Sequence, residues 1–293
     1  MALDYGIAPT GYRLPDATRL GRVRLQISDL DRSIAYYETV IGLRVVDRGK
    51  DFAALAPYGD DRVIVELREK KGIRPVGRRG AIGLYHFAIL LPDRAALGRF
   101  VKHLSAIGAY AGMSDHFVSE AVYLTDPDGL GIEVYADRPR TNWKTENRQL
   151  TMTTEPLDVE DLVASAGDEP WTGAPAGTML GHVHLYVQAL DDAERFYHSA
   201  VGFDKVVWSY PGALFMSAGG YHHHLGTNTW AAAAPVSTDD DARLLDWEIV
   251  VPTRHDVDEA AAAIADAGFE TRRDGNDVTV RDPWGTQLRL VAA

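Results

Sequence analysis

An apolar run occupies Leu84-Tyr85-His86-Phe87-Ala88-Ile89-Leu90-Leu91-Pro92, with one histidine near its start. A short apolar stretch stopped by proline reads as a buried strand. A second run, Ala121-Val122-Tyr123-Leu124-Thr125, meets Asp126-Pro127-Asp128-Gly129 and resumes as Leu130-Gly131-Ile132-Glu133-Val134-Tyr135. That is strand, tight turn, strand. Glu133 alternates with Ile132 and Val134, so it points to the face opposite its apolar neighbours. A histidine near the start of one strand and a glutamate in another can meet inside a curved sheet. Together they are two thirds of a 2-His-1-carboxylate metal site.

The pattern repeats. A strand over Gly21–Ile27 precedes a capped amphipathic helix from Ser28 to Glu38 that ends at Gly42, and short strands follow near Leu43–Asp47, Phe52–Ala56 and Arg62–Arg68. The second unit is Leu84–Asp137, with its helix at Arg94–Ile107 ending at Gly108. A third begins at Gly181, with a helix over Asp191–Val201 ending at Gly202 and strands running to Trp230. A fourth begins at Leu245, with a helix over Val257–Ala267 ending at Gly268. Gly42 and Gly108 are 66 residues apart, as are Gly202 and Gly268. The chain is therefore a duplicated pair of βαβββ units, 19–137 and 181–293, joined by residues 138–180. The joining segment is rich in Thr, Asp, Glu and Pro, carries a helical candidate at Val159–Ala166, and reads as a linker with some structure of its own. Residues 1–18 show no period and are assigned no function.

Composition narrows the chemistry. The chain has 293 residues, a hydrophobic fraction of 46% and no cysteine, so a bound metal must be held by His, Asp or Glu. A net charge of −12 argues against nonspecific nucleic-acid binding. No run approaches a membrane span and the N-terminus lacks a signal pattern, so cytoplasm is the expected location.

A fourfold βαβββ repeat with Asp29-Leu30-Asp31-Arg32-Ser33-Ile34-Ala35-Tyr36-Tyr37 after its first strand resembles the vicinal oxygen chelate superfamily. The unit ending Tyr123-Leu124-Thr125-Asp126-Pro127-Asp128-Gly129-Leu130-Gly131-Ile132-Glu133-Val134-Tyr135 is similar to the ligand-bearing unit of extradiol catechol dioxygenases. The resemblance implies an α+β fold in which two units form one incomplete barrel around a metal, with ligands on the first and last strands. The matching first-strand positions are Arg22, His86, His182 and Asp246, and the matching last-strand positions are Glu133 and Arg289. Only units two and three then supply ligands, so His86, His182 and Glu133 are the expected metal set. Units two and three are expected to share the metal barrel, and units one and four a metal-free one. The resemblance implies Fe(II), with Mn(II) as the alternative, and a catecholic substrate cleaved with O2. It gives His223 an acid–base role, His116 and Tyr123 contacts to the substrate oxygens, and a homo-oligomeric assembly.

Other readings stand beside this one. A lone histidine such as His86 is ordinarily a packed side chain, and Glu133 needs only a cation, which an arginine could supply. His184 shares a face with His182 and rivals it as ligand. In Tyr221-His222-His223-His224, read as a strand, His222 and His224 share one face and His223 takes the other. The triple histidine is otherwise surface decoration, and Tyr123 is otherwise core. A glyoxalase-type isomerase would need a fourth protein ligand, expected within His222–His224. A metal-free drug-binding protein is the third reading. Arg138–Trp143 is close enough in sequence to Glu133 to reach a pocket mouth. The two Asp-Pro turns are assigned no chemistry.

Overall fold

The computed structural model describes residues 5–293. Unit one is β1 (Arg19–Ile27), α1 (Leu30–Tyr36), β2 (Arg44–Arg48), β3 (Phe52–Ala56) and β4 (Val65–Glu69). Unit two is β5 (Gly83–Leu90), α2 (Arg94–Ile107), β6 (Gly112–Asp115), β7 (Ser119–Thr125) and β8 (Gly131–Asp137). The joining segment holds a hairpin, β9 (Thr145–Glu146) and β10 (Gln149–Leu150), and then α3 (Val159–Ser165). Unit three is β11 (Met179–Tyr186), α4 (Leu190–Ala193), β12 (Asp204–Val207), β13 (Ala213–Ser217) and β14 (Leu225–Asn228). Unit four is β15 (Arg243–Val251), α5 (Arg254–Asp266), β16 (Thr271–Asp274), β17 (Asp277–Arg281) and β18 (Gln287–Ala292).

In every unit the helix carries the chain across, so the first strand pairs parallel with the last: β1 with β4, β5 with β8, β11 with β14, β15 with β18. The units then join through their first strands. One eight-stranded sheet runs β12-β13-β14-β11-β5-β8-β7-β6, and the other β16-β17-β18-β15-β1-β4-β3-β2. The crossed pairing expected from the ligand count is the one observed. Units two and three share one curled sheet, and units one and four share the other.

Three helices differ from the sequence reading. Those of units one and three open into π turns at Tyr37–Ile41 and Glu194–Ala200. The helix of unit four starts earlier than expected, at Arg254, because Thr253 and Asp256 form a capping box. Residues 5–18 pack on unit three. Ile7 pairs with Lys205, Arg13 binds Asp204 at 2.6 Å, and Leu14 is buried.

Candidate metal centre and the cavity above it

The register of three adjacent strands assembles the centre. Ala88 on β5 lies opposite both Glu133 on β8 and His182 on β11. This small side chain leaves room between its two neighbours, and His86 enters from one pleat away. His86 Nε2 lies 3.0 Å, and His182 Nε2 3.1 Å, from the same Glu133 Oε2. One donor atom of each residue falls within 4.8 Å of the others, and all three residues are buried. His86 Nε2 is not aligned to donate to the carboxylate, and Nδ1 of either ring has no protein partner. A buried nitrogen without a partner is costly, and a cation at the point of convergence would satisfy His86 Nε2. The donor set of two imidazoles and one carboxylate fits a divalent transition metal.

The electrostatics agree with that fit. Burial alone would raise the Glu133 carboxyl, but His182 and His86 outweigh it and hold it well below the usual carboxylate range. Burial pushes His182 down to about 4, against the pull of Glu133. Both His182 and the carboxylate therefore hold their metal-binding forms at neutral pH.

A fourth position follows from the same register. In each unit, the residue two places after the first-strand site faces one residue of the last strand. The pairs are Ala88 with Glu133, His184 with Gly226, Arg24 with Glu66, and Glu248 with Arg289. The fourth position of this barrel is therefore Gly226, and not a residue of His222–His224 as expected from sequence. A Cβ on Gly226 would lie 2.8 Å from the His184 ring, so His184 fills the space a fourth ligand would need. His184 itself accepts from Asn228 Nδ2 at 3.0 Å and is not among the three converging residues.

The triple histidine is not a strand. It lies in the loop before β14, where glycines at 219 and 220 with positive φ turn the chain, so the rings do not alternate between faces. All three are buried, which excludes surface decoration. His222 Nε2 is 2.8 Å from Asp137 Oδ1, and His222 Nδ1 is 2.7 Å from His223 Nδ1. A carboxylate only accepts, so His222 donates from Nε2 and accepts at Nδ1. His223 then donates from Nδ1, and its Nε2 is left as a lone pair. His223 lines the cavity, and burial, with His182 next, pushes its pKa well down. His224 accepts from the Ala218 backbone N–H at 3.2 Å and braces the loop.

His116 and Tyr123 form a second pair. The His116 Nδ1 donates to Thr153 O at 2.5 Å, which leaves Nε2 to accept from the Tyr123 hydroxyl at 2.6 Å. Tyr123 lies directly across the β7–β8 ladder from Glu133. His86, Glu133, His116, Tyr123 and His223 all line one cavity of about 520 Å³. The joining segment contributes Thr153 and Thr154 to its wall, so it is more than a linker. Trp143 does not reach the cavity; it packs behind the site, its ring 5.4 Å from His222. Sequence reasoning missed Asp137 and Gly226. Both are placed by register against other strands, and unit three lacks the Asp-Pro turn that anchors such counting in units two and four. Among the described residues no helix is long and apolar enough to cross a membrane.

Comparison with known proteins adds an independent line. The family model of the Glyoxalase/Bleomycin resistance protein/Dioxygenase superfamily matches residues 19–134 and 179–290. Catechol-2,3-dioxygenase of Bacillus subtilis (strain 168) is 43% identical over 270 residues, covering 91% of this chain and 94% of that protein. A Bacillus subtilis protein solved as a candidate dioxygenase superposes with a TM-score of 0.66 at 16% identity, over 96% of this chain and 86% of that one. Glyoxalase I from Zea mays superposes with a TM-score of 0.58 at 18% identity, over 94% and 92%. The last two share the fold; the first relative shares sequence along nearly the whole length. The chain belongs to the Glyoxalase/Bleomycin resistance protein/Dioxygenase superfamily.

Proposed function

We propose that this protein is an extradiol dioxygenase that opens the ring of a catechol with O2, using Fe(II) held by His86, His182 and Glu133. Mn(II) accepts the same donor set. The observation that carries the reading is the ligand count. Three donors converge, and the matched fourth position is Gly226. A three-ligand face leaves positions open for a bidentate substrate and O2, whereas a glyoxalase-type centre would want a donor where the glycine stands. The 43% identity to a catechol-2,3-dioxygenase supports the same choice.

When bound, the metal supplies a template for both substrate oxygens and O2, and a route for electrons between ring and oxygen. The protein's part is proton handling and orientation. His223 Nε2, bare in the tautomer imposed by Asp137 and His222, is placed to take a proton from the diol and return it later. Tyr123, whose proton goes to His116 Nε2, accepts from one diol hydroxyl and keeps the ring in register with Glu133, and His116, anchored on Thr153 O, orients the Tyr123 hydroxyl. Tyr85, whose ring centroid lies 4.6 Å from that of His86, forms part of the apolar wall against which the ring packs.

The test is anaerobic loading with Fe(II), then catechol, then air. The reading expects a yellow ring-fission product that disappears in His182→Ala and Glu133→Ala. Tight metal binding with no ring fission across a panel of catechols would overturn it.

A further inference from the structure

The rim of the cavity carries two arginines that the chemistry above does not use. Arg78 and Arg79 line it, and both are exposed. Glu133 is the one carboxylate in the lining, and it is committed to the centre. Neither arginine makes an ion pair within 4.0 Å among the described residues, in a chain of net charge −12 whose other arginines mostly find acids.

The arginines are not on a loose loop. Before them, Arg74 N donates to Asp240 O and Val76 N to Asp128 O, each at 2.8 Å. After them, Ile82 N donates to Pro235 O at 2.8 Å. The tip turns between Gly77 and Gly80, closed by a 2.8 Å hydrogen bond, with Arg79 itself at φ 58. A non-glycine residue in the left-handed region is strained, and it persists where its neighbours hold it. Val76 is seated against Gly129, where even a Cβ would collide with its carbonyl.

An aromatic wall links this rim to the centre. Tyr85 lies beside His86, and the Tyr186 ring is 4.8 Å from Tyr85. Burial raises both tyrosine hydroxyls, Tyr186 to about 12, and Arg78 and Arg79 act on both in the opposite direction. The guanidiniums are therefore within electrostatic reach of the wall's outer end.

We propose that Arg78 and Arg79 bind the carboxylate of a catechol bearing an acidic side chain, so that the preferred substrate is an anionic aromatic diol. This rests on the ring-cleavage reading for the inner end of the cavity. With the diol at His86 and Glu133, a substituent running along Tyr85 and Tyr186 ends at the two guanidiniums. Guanidinium binds carboxylate through paired, charge-assisted hydrogen bonds.

The experiment compares 3-(3,4-dihydroxyphenyl)propanoate with its neutral isostere 4-(3-methylbutyl)catechol. Wild type should give a KM for the acid about tenfold below that of the isostere, the size expected of a partly exposed charge-assisted contact. The ratio should fall close to one in Arg78→Gln/Arg79→Gln, and should shrink as salt is raised. Titration of both compounds into metal-free protein, followed by intrinsic fluorescence, should show the same ranking without turnover. Equal affinity for acid and isostere in wild type would overturn the proposal, as would an unchanged ratio in the double variant. Failure to cleave any catechol would overturn the ring-cleavage reading instead, and the fluorescence titration would still decide this one.

Discussion

Two barrels with the same strand register solve the same electrostatic problem in opposite ways. In the barrel of units two and three, the four matched positions hold His86, His182, Glu133 and Gly226. In the barrel of units four and one they hold Asp246, Arg22, Arg289 and Glu66. The second barrel closes on itself. Arg24 binds Asp246 at 2.6 Å and Glu66 at 2.8 Å, while Arg22 binds Glu248 at 2.9 Å and Glu66 at 3.2 Å. Its acids are neutralised by cations built into the chain. The first barrel has one carboxylate, two imidazoles and no lysine or arginine at these positions, so its charge balance calls for an ion from outside. The same scaffold thus holds a centre or a salt-bridge cluster according to a few residues on four strands.

The sharpest way to break that comparison is to remove a donor from the first barrel. His182→Ala or Glu133→Ala should lower ring-cleavage activity by about three orders of magnitude or more, since positions for substrate and O2 are lost together. The thermal shift produced by Fe(II) should vanish in the same variants, because stabilisation by a ligand requires binding to the folded state. Persistence of a normal shift in both would mean that the metal sits elsewhere.

The second barrel should answer in stability and not in chemistry. Arg24→Met leaves the buried Asp246 without its paired cation, while Glu66 keeps Arg68 at 2.6 Å and Arg22 at 3.2 Å, and stripping one partner from a buried pair costs about 3 kcal/mol. Arg24 keeps some solvent contact, so the loss should sit at or below that figure. Urea unfolding measures it directly. A loss under about 0.5 kcal/mol, the size of an ordinary surface change, would mean that the cluster is solvent-screened.

Behind His223 the effect should be smaller still. Asp137→Asn removes the carboxylate that fixes the His222 tautomer, while the His222–His223 contact remains. A drop in kcat of about tenfold with little change in KM is expected, as for a group that orients a base without touching substrate. A drop confined to KM would remove Asp137 from that role.

Much of this contrast was readable from sequence, because it depends on residue type at repeating intervals. Helix-ending glycines 66 residues apart fixed the unit boundaries, and the charges of Arg22 and Arg289 excluded one barrel as a metal site. What failed to show was whatever depends on backbone geometry. His222, His223 and His224 look like strand residues by composition, yet two positive-φ glycines before them turn the segment into a loop. The π turns at Tyr37–Ile41 and Glu194–Ala200 leave no mark in an amphipathic pattern. Asp137 ends its strand and looks like any solvated acid; only packing against unit three makes it a partner of His222.

Those π turns carry a feature common to both halves of the chain, and it sharpens the comparison at its fine end. Tyr37 in unit one donates to Asp126 in unit two at 3.3 Å, and Tyr197 in unit three donates to Asp282 in unit four at 2.9 Å. Each bond ties one barrel to the other. Each aspartate also accepts two backbone N–H groups of its own turn, so the Asp-Pro turns are latches and not mere connections. Burial raises Asp126 to about 7 and Asp282 to about 6, with those hydrogen bonds acting against it. An unfolded aspartate titrates near 3.9. A folded pKa above the unfolded one means that the native state holds its proton more tightly. The stability it contributes is complete below about pH 4 and is lost as pH rises, through about 6 for Asp282 and about 7 for Asp126. Asp126→Asn keeps the acceptor for the turn and removes the titration, so it should flatten the pH dependence of unfolding between about 4 and 7. Asp282→Asn should do the same over the narrower window ending near 6. Tyr37→Phe and Tyr197→Phe should each cost about 1 kcal/mol, and more above pH 7, where an ionised carboxylate loses its donor. Urea midpoints at pH 5 and pH 8 for the four variants test this. If the asparagine variants keep the wild-type slope, the two aspartates are ionised in the fold throughout, and the latches are ordinary charged hydrogen bonds.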